Sequence, residues 1–174
     1  MKYKVKRKQQ NSRMCLVCGL LNDFGLKTRF YELENGELVA LFTPLDVHQS
    51  YPGRMHGGIA SAILDETIGR AIMANGEDDW GVTIELDVRY LKPIPLNEEL
   101  MVVGRITKDN RRIFEGTGEI ILQNGEIAAE AEGRYLKMPL KKIADFDFDH
   151  EDWRVVPNLN DPTEIEIRRT GEAG

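Results

Sequence analysis

The run MHGGIASAILDETIGRA (Met55–Ala71) carries two adjacent carboxylates and opens on His-Gly-Gly. Helical residues three and four apart share a face. Glu66 has Arg70 four residues on, the favourable order for an ion pair on a solvated face, worth about 0.3–0.5 kcal/mol. Asp65 has Ile68 and Gly69 at those positions and no local cation. Aspartate is also the weaker helix former. Asp65 therefore reads as a carboxylate facing something half-buried, a candidate base or nucleophile. A structural ion pair with an arginine from a distant strand is the competing explanation. Gly57 and Gly58 add a second chemical element. A helix start offers unpaired N–H groups and the positive end of the dipole, and glycine lets another molecule come close. Donors aimed at a developing oxyanion are what acyl transfer needs, although glycines there also serve tight packing on a strand. Gly57 and Asp65 are separated by roughly 12 Å along one helix at ~1.5 Å per residue. A site using both would take one from each of two subunits.

The flanking sequence predicts what positions them. The spacing predicts a helix from about Gly57 to Ala74, stopped near Asn75-Gly76 and followed by the loop EDDWG. VHQSYPGRM is a loop leading into it. VTIELDVRYL alternates, with Val82, Ile84, Leu86, Val88 and Tyr90 on the apolar face and Thr83, Glu85, Asp87 and Arg89 on the polar one. LKTRFYEL and ELVALFTP flank Glu34-Asn35-Gly36 as a hairpin. ELMVVGRITKD, RIFEGTGEIILQ and EIAAEAEGRYLKM are three more strands, turned at Asp109-Asn110 and Asn124-Gly125. The expectation is an α+β domain at 14–139, a curled antiparallel sheet of about six strands around one long helix. Residues 1–13 lack periodicity and are expected to be disordered or loosely ordered; 140–174 read as a C-terminal extension partly packed on the domain, with a disordered tip.

The chain has 174 residues, 41% of them hydrophobic and 30% charged, enough for a real core. Its net charge of −6 argues against general nucleic-acid binding. No apolar run approaches the ~18–20 residues of a membrane span and no signal segment is visible, so a cytoplasmic protein is the default. The two cysteines, Cys15 and Cys18, form a CxxC pair. Such a pair is a redox motif, half of a zinc site or simply two small apolar residues. The last reading is the simplest, and no metal is expected.

HGGIASAILDE, with HQSYPG before it and CLVCG…N..GL further upstream, resembles the hotdog-fold acyl-CoA thioesterases of the phenylacetate-degradation (PaaI-like) type, over about Cys15 to Lys137. The resemblance implies a long helix wrapped by an antiparallel sheet, and a homodimer (or a dimer of such dimers) with active sites at the seam. It implies Asp65 as the catalytic acid and Gly57 as the oxyanion donor. The family's polar residue ahead of the histidine falls on Ser50, with Gln49 beside it; its hydroxyl on the following strand falls on Thr83. His56 and His48 are the remaining polar candidates, His56 more for orienting the loop than for moving a proton.

The implied reaction is hydrolysis of an acyl-CoA to a carboxylic acid and CoA, with Asp65 as general base or nucleophile. No cofactor is needed, since coenzyme A arrives as part of the substrate. Its anionic end needs a basic patch, for which Arg89, Lys92, Lys108, Arg111 and Arg112 are candidates. The alternatives are a hotdog acyl-thioester dehydratase or hydratase, which needs a histidine beside the acid, and a non-catalytic acyl-CoA binding module.

Overall fold

The structure, a computed structural model, describes residues 1–75, 80–144, 150 and 152–170. In chain order the strands are β1 (Lys2–Lys8), β2 (Arg29–Leu33), β3 (Leu38–Phe42), β4 (Trp80–Tyr90), β5 (Leu100–Asp109), β6 (Ile113–Ile121), β7 (Ile127–Met138) and β8 (Glu164–Glu166). The main helix α1 spans Gly57–Ala71, between β3 and β4, and α2 is one short turn, Leu140–Ile143. All eight strands form one sheet in the order β4-β7-β6-β5-β3-β2-β1-β8, every neighbouring pair antiparallel. The α+β hotdog architecture is thus present, with β2–β7 as the six expected strands. The hairpin turns use the expected chemistry. Gly36 and Gly125 have φ of 85° and 84°, and Asn35 and Asn124 each accept from the backbone N–H two residues on.

The helix lies across one face of the sheet, against β3 to β7. Ala60, Ile63, Leu64, Thr67, Ile68 and Ala71 are buried there, at the spacing of an apolar stripe. Small sheet residues allow the close approach. A Cβ on Gly116 would lie 2.7 Å from Ile68 Cγ2, and one on Gly104 would lie 3.0 Å from the Thr67 carbonyl oxygen. The helix ends at Ala71 and tightens into a 3₁₀ turn, Ile72–Asn75, a little short of the expected α-helical stop. The Gly76 stop signal and most of the EDDWG loop lie outside the described residues, as do much of the acidic 145–151 segment and the tip at 171–174.

Two strands come from segments where no strand was expected. Residues 2–8, within the stretch expected to be loose, form β1, pairing with β2 on one side and β8 on the other. Their hydrophobic pattern is weak because only Tyr3 and Val5 pack inward. The basic side chains are held from afar: Arg7 pairs with Glu32 at 2.6 Å, and Lys8 with Asp161 at 2.7 Å. No local sequence signal carries partners 25 and 153 residues away. The C-terminal segment places Ile165 and Ile167 with Tyr31, Leu33, Val39, Val103 and Ile121 in a second apolar cluster. Alternation puts that cluster on the sheet face opposite α1.

Candidate active site

Asp65 sits half-buried on α1, above the start of β4 and the end of β7. Its Oδ1 accepts from Thr83 Oγ1 at 2.8 Å and from Tyr135 Oη at 3.0 Å. Oδ2 accepts from no described residue. Among the described residues Asp65 has no cation beside it, and two hydroxyl donors hold one of its oxygens. The distant arginine of the competing explanation is not found among the described residues. Tyr135 is fully buried, stacked on Phe114 with centroids 4.9 Å apart. Burial, and then the neighbouring Asp65 carboxylate, push the phenol well above its ordinary range, so it is a neutral donor at physiological pH.

Thr83 reaches Asp65 because β4 does not alternate as its sequence does. Thr83 lies opposite Tyr135 and Glu85 opposite Arg134, so Ile84 is an extra residue in a β-bulge. Before the bulge, Gly81 and Thr83 face the helix; after it, Leu86 and Val88 pack on the core and Tyr90 meets the helix start. Ile84, expected inside, is 53% exposed. One inserted residue reverses the phase and turns a polar-face threonine inward.

The carboxylate borders an open cavity of about 290 Å³, lined also by Cys15, Glu66, Arg70, Trp80 and Trp153. Glu66 and Arg70 do pair, at 2.9 Å, but the face is not solvated: Arg70 is 5% exposed. Its guanidinium lies 4.5 Å from the Phe30 ring and 4.8 Å from the Trp153 ring, and donates to the Gln10 carbonyl. The N-terminal segment and Trp153 cover that helix face, neither of which i,i+4 spacing reveals. The segment also brings in the two cysteines, unbridged by a disulfide. Cys15 Sγ donates to Glu66 Oε2 at 3.1 Å and accepts from the Val17 and Cys18 amides. Cys18 Sγ accepts from Arg70 Nη2 at 3.1 Å. The neighbouring Cys18, and then burial, hold the Cys15 thiol above its ordinary pKa, while Cys15 holds the Cys18 thiol below it.

The other predicted residues lie at the opposite end of α1. His56 is the N-cap, its Nδ1 accepting from the Gly58 N–H at 2.9 Å. The Gly57 N–H donates to no described residue, while the Gly57 carbonyl accepts from Tyr90 Oη at 2.9 Å. Gln49 and Ser50 are exposed in the preceding loop, where Gln49 Oε1 accepts from the Gly53 N–H. His48 is buried, its Nδ1 taking the Leu45 N–H and its Nε2 facing the Phe24 carbonyl, a structural role. One chain thus unites Asp65 with Thr83 and leaves Gly57, His56, Gln49 and Ser50 two helical turns away. Tyr135, Trp80 and Trp153 are cavity residues that sequence reasoning missed. The only signal for Tyr135 was its inward phase in the alternating β7 sequence.

The basic candidates divide between the same two ends. Lys108, Arg111 and Arg112 surround the β5–β6 hairpin, which the register places level with the start of β4. Arg89 and Lys92 lie at its far end. Arg89 pairs with Glu130 at 2.5 Å, Lys92 with Glu126, and Lys108 with Glu115 at 3.4 Å. Arg111 and Arg112 make no ion pair among the described residues. No helix among the described residues is long and apolar enough to cross a membrane.

The family model of the Thioesterase superfamily matches residues 52–129, from the loop ahead of α1 into β7. Mouse acyl-coenzyme A thioesterase THEM4 is 28% identical over 114 residues, covering 65% of this chain and 48% of that protein. A solved thioesterase superfamily protein is 28% identical with a TM-score of 0.65, covering 71% of this chain and 63% of that one. A phenylacetic acid degradation-related protein from Ralstonia eutropha shares the fold at 23% identity and a TM-score of 0.58, covering 64% and 85%. The chain spans less than two thirds of the length of the first curated relatives it matches. The resemblance read from HGGIASAILDE is thus matched by a thioesterase family model over residues 52–129 and by solved structures of the same fold.

Proposed function

We propose that this thioesterase-superfamily domain is an acyl-CoA thioesterase whose active site is shared between two chains, with Asp65 as general base. The observation that carries the reading is the Asp65 carboxylate: Thr83 and Tyr135 hold Oδ1, and Oδ2 is left for a water beside the cavity. Asp65 would take a proton from that water as its oxygen attacks the thioester carbonyl carbon. The Gly57 N–H of the partner subunit would hold the oxyanion that forms. Collapse of the intermediate breaks the carbon–sulfur bond, and the proton on Asp65 passes to the departing CoA sulfur. The curated relatives named acyl-coenzyme A thioesterase support the substrate class.

The two-chain arrangement is supported by β4. It ends the sheet, and its outer edge pairs with no described strand over eleven residues. An unpaired edge of that length is a template for a second chain. Tyr90 ties the far end of β4 to Gly57, and Thr83 ties the near end to Asp65. A twofold axis near Leu86, pairing β4 with its copy, would bring the partner's Gly57 end to the Asp65 end. It would also bring the Arg89 and Lys92 end of one chain to the Arg111 and Arg112 hairpin of the other, one basic surface for the nucleotide. Two unbridged cysteines accord with a reducing compartment such as the cytoplasm. The relatives named acyl-coenzyme A thioesterase favour hydrolysis over the hydratase alternative, whose histidine does not stand beside Asp65 within one chain among the described residues.

The test is free-thiol release over short, medium, long and aryl acyl-CoAs. Turnover of at least one is expected, and Asp65→Asn should lower kcat by about 10²–10⁴-fold without changing the oligomeric state. Tight binding without thiol release would make the domain a binding module, and full turnover by Asp65→Asn would remove Asp65 from the reaction.

A further inference from the structure

The cavity wall next to Asp65 holds a cluster that thioester hydrolysis does not use. The CxxC motif supplies only two donors, and a metal site needs more. The fold supplies a third from α1: Cys15 Sγ, Cys18 Sγ and a Glu66 carboxylate oxygen all lie within 4.8 Å of one another. Cys15, Cys18 and Glu66 all line the open cavity, Cys18 with no exposure to bulk solvent. From this convergence we infer that Cys15, Cys18 and Glu66 form a binding site for a thiophilic divalent cation, zinc above all.

Four features carry the inference. First, the donors are two sulfurs and a carboxylate oxygen, a set that suits zinc and excludes magnesium or calcium, which take oxygen alone. Second, the spacing is close. A tetrahedral ion with bonds of about 2.3 Å to sulfur holds its sulfur donors about 3.8 Å apart. Cys15 Sγ already stands 3.1 Å from Glu66 Oε2, so small side-chain rotations complete the set. Third, two backbone donors stand ready to support the Cys15 sulfur once an ion replaces its proton. The backbone N–H groups of Val17 and Cys18 both point at Cys15 Sγ, at 3.3 and 3.4 Å.

Fourth, Arg70 completes the charge balance without competing for the ion's position. It donates Nε to Glu66 Oε1 and Nη2 to Cys18 Sγ. Both ligands keep these outer hydrogen bonds when a cation binds, which orients them as supporting partners do at zinc sites. Two thiolates and one carboxylate carry three negative charges; a divalent ion and the guanidinium carry three positive ones. The ensemble is neutral, as a half-buried site requires. In the metal-free chain Cys15 instead gives its proton to a hydrogen bond with Glu66. Binding replaces the thiol protons with the ion and releases them to solvent. Three protein ligands leave the fourth position open toward the cavity, as in zinc sites that hold a water.

The test uses the full chain, reduced and stripped with a chelator, with zinc ion alone and then cobalt(II) alone as probes. Gel-filtered protein should retain one zinc per chain by atomic emission. Cobalt(II) should give the near-ultraviolet thiolate-to-cobalt band and the intense visible bands of a tetrahedral ion. Cys15→Ala and Cys18→Ala should each lose the stoichiometric metal and the thiolate band, Glu66→Gln should weaken retention at least tenfold, and Asp65→Asn should keep the full complement. The proposal is overturned by less than about half a zinc per chain in the reduced protein. A cobalt spectrum without thiolate character, or zinc retained by both cysteine variants, would overturn it equally. The cobalt spectrum is read on the unaltered chain, so a poorly folding variant does not blunt the test. None of these readouts uses thioesterase activity.

Discussion

At the scale of single residues, the phenol of Tyr135 is as informative as the carboxylate it serves. It is buried, its hydroxyl donates to Asp65, and Tyr31 is a second buried phenol whose hydroxyl donates to Asp161 Oδ1 at 2.6 Å. Both are pushed above the ordinary tyrosine value, burial being the first cause in each. The sign of the consequence follows from proton linkage. Above about pH 10 an unfolded tyrosine releases its proton while these two keep theirs in the folded chain. Their contribution is therefore fully present below that value and is lost as pH rises beyond it. The melting temperature should fall more steeply once the pH passes about 10. Tyr135→Phe, which keeps the ring against Phe114, should lessen that alkaline decline. An unchanged slope would mean that Tyr135 ionises in the folded protein.

At the scale of elements, the site depends on how closely α1 approaches the sheet and on where β4 is out of phase. Gly116 on β6 sets the first. A Cβ there would stand 2.7 Å from both Ile68 Cγ2 and the Arg105 carbonyl oxygen, and the latter is backbone that cannot swing aside. Gly116→Ala should destabilise the chain by about 1–3 kcal/mol, read from the midpoint of chemical denaturation; a change under about 0.5 kcal/mol would show that the helix has room to lift. The same two features mark what the sequence made legible. Strands β2 to β7 and the helix were readable because their periodicities are set by one local core. The Asp65–Glu66 distinction was readable because side chains at i+3 and i+4 are fixed by helical geometry. The bulge at Ile84 was not, because VTIELDVRYL alternates without a break and only pairing with β7 introduces the extra residue. Nor were β1, β8 and the burial of Arg70, all of which rest on contacts between the two ends of the chain and the domain. Tyr135 was hidden for a related reason: an inward tyrosine on a strand reads as core until a carboxylate is placed above it.

At the scale of the whole molecule, the proposed reaction needs two chains, and this can be tested without a structure of the dimer. Gly57 is the first residue of α1, with an extended N-cap before it (His56 φ −66°, ψ 134°). Proline is well tolerated at that helical position, and the residue before a proline favours such an extended conformation. Gly57→Pro therefore removes one N–H, the proposed oxyanion donor, while leaving the helix able to form. Its kcat should fall by about 10²–10³-fold, the usual cost of losing one such donor. Asp65→Asn should be inactive for a different reason. A heterodimer of the two variants has one site with both defects and one with neither. Mixed and refolded together, the inactive chains should then recover activity, approaching one working site per heterodimer. If each chain builds its site alone, every site in the mixture carries a defect and activity stays absent. Recovery would show that the Gly57 N–H and the Asp65 carboxylate meet across the seam, which one 15-residue helix cannot arrange within itself.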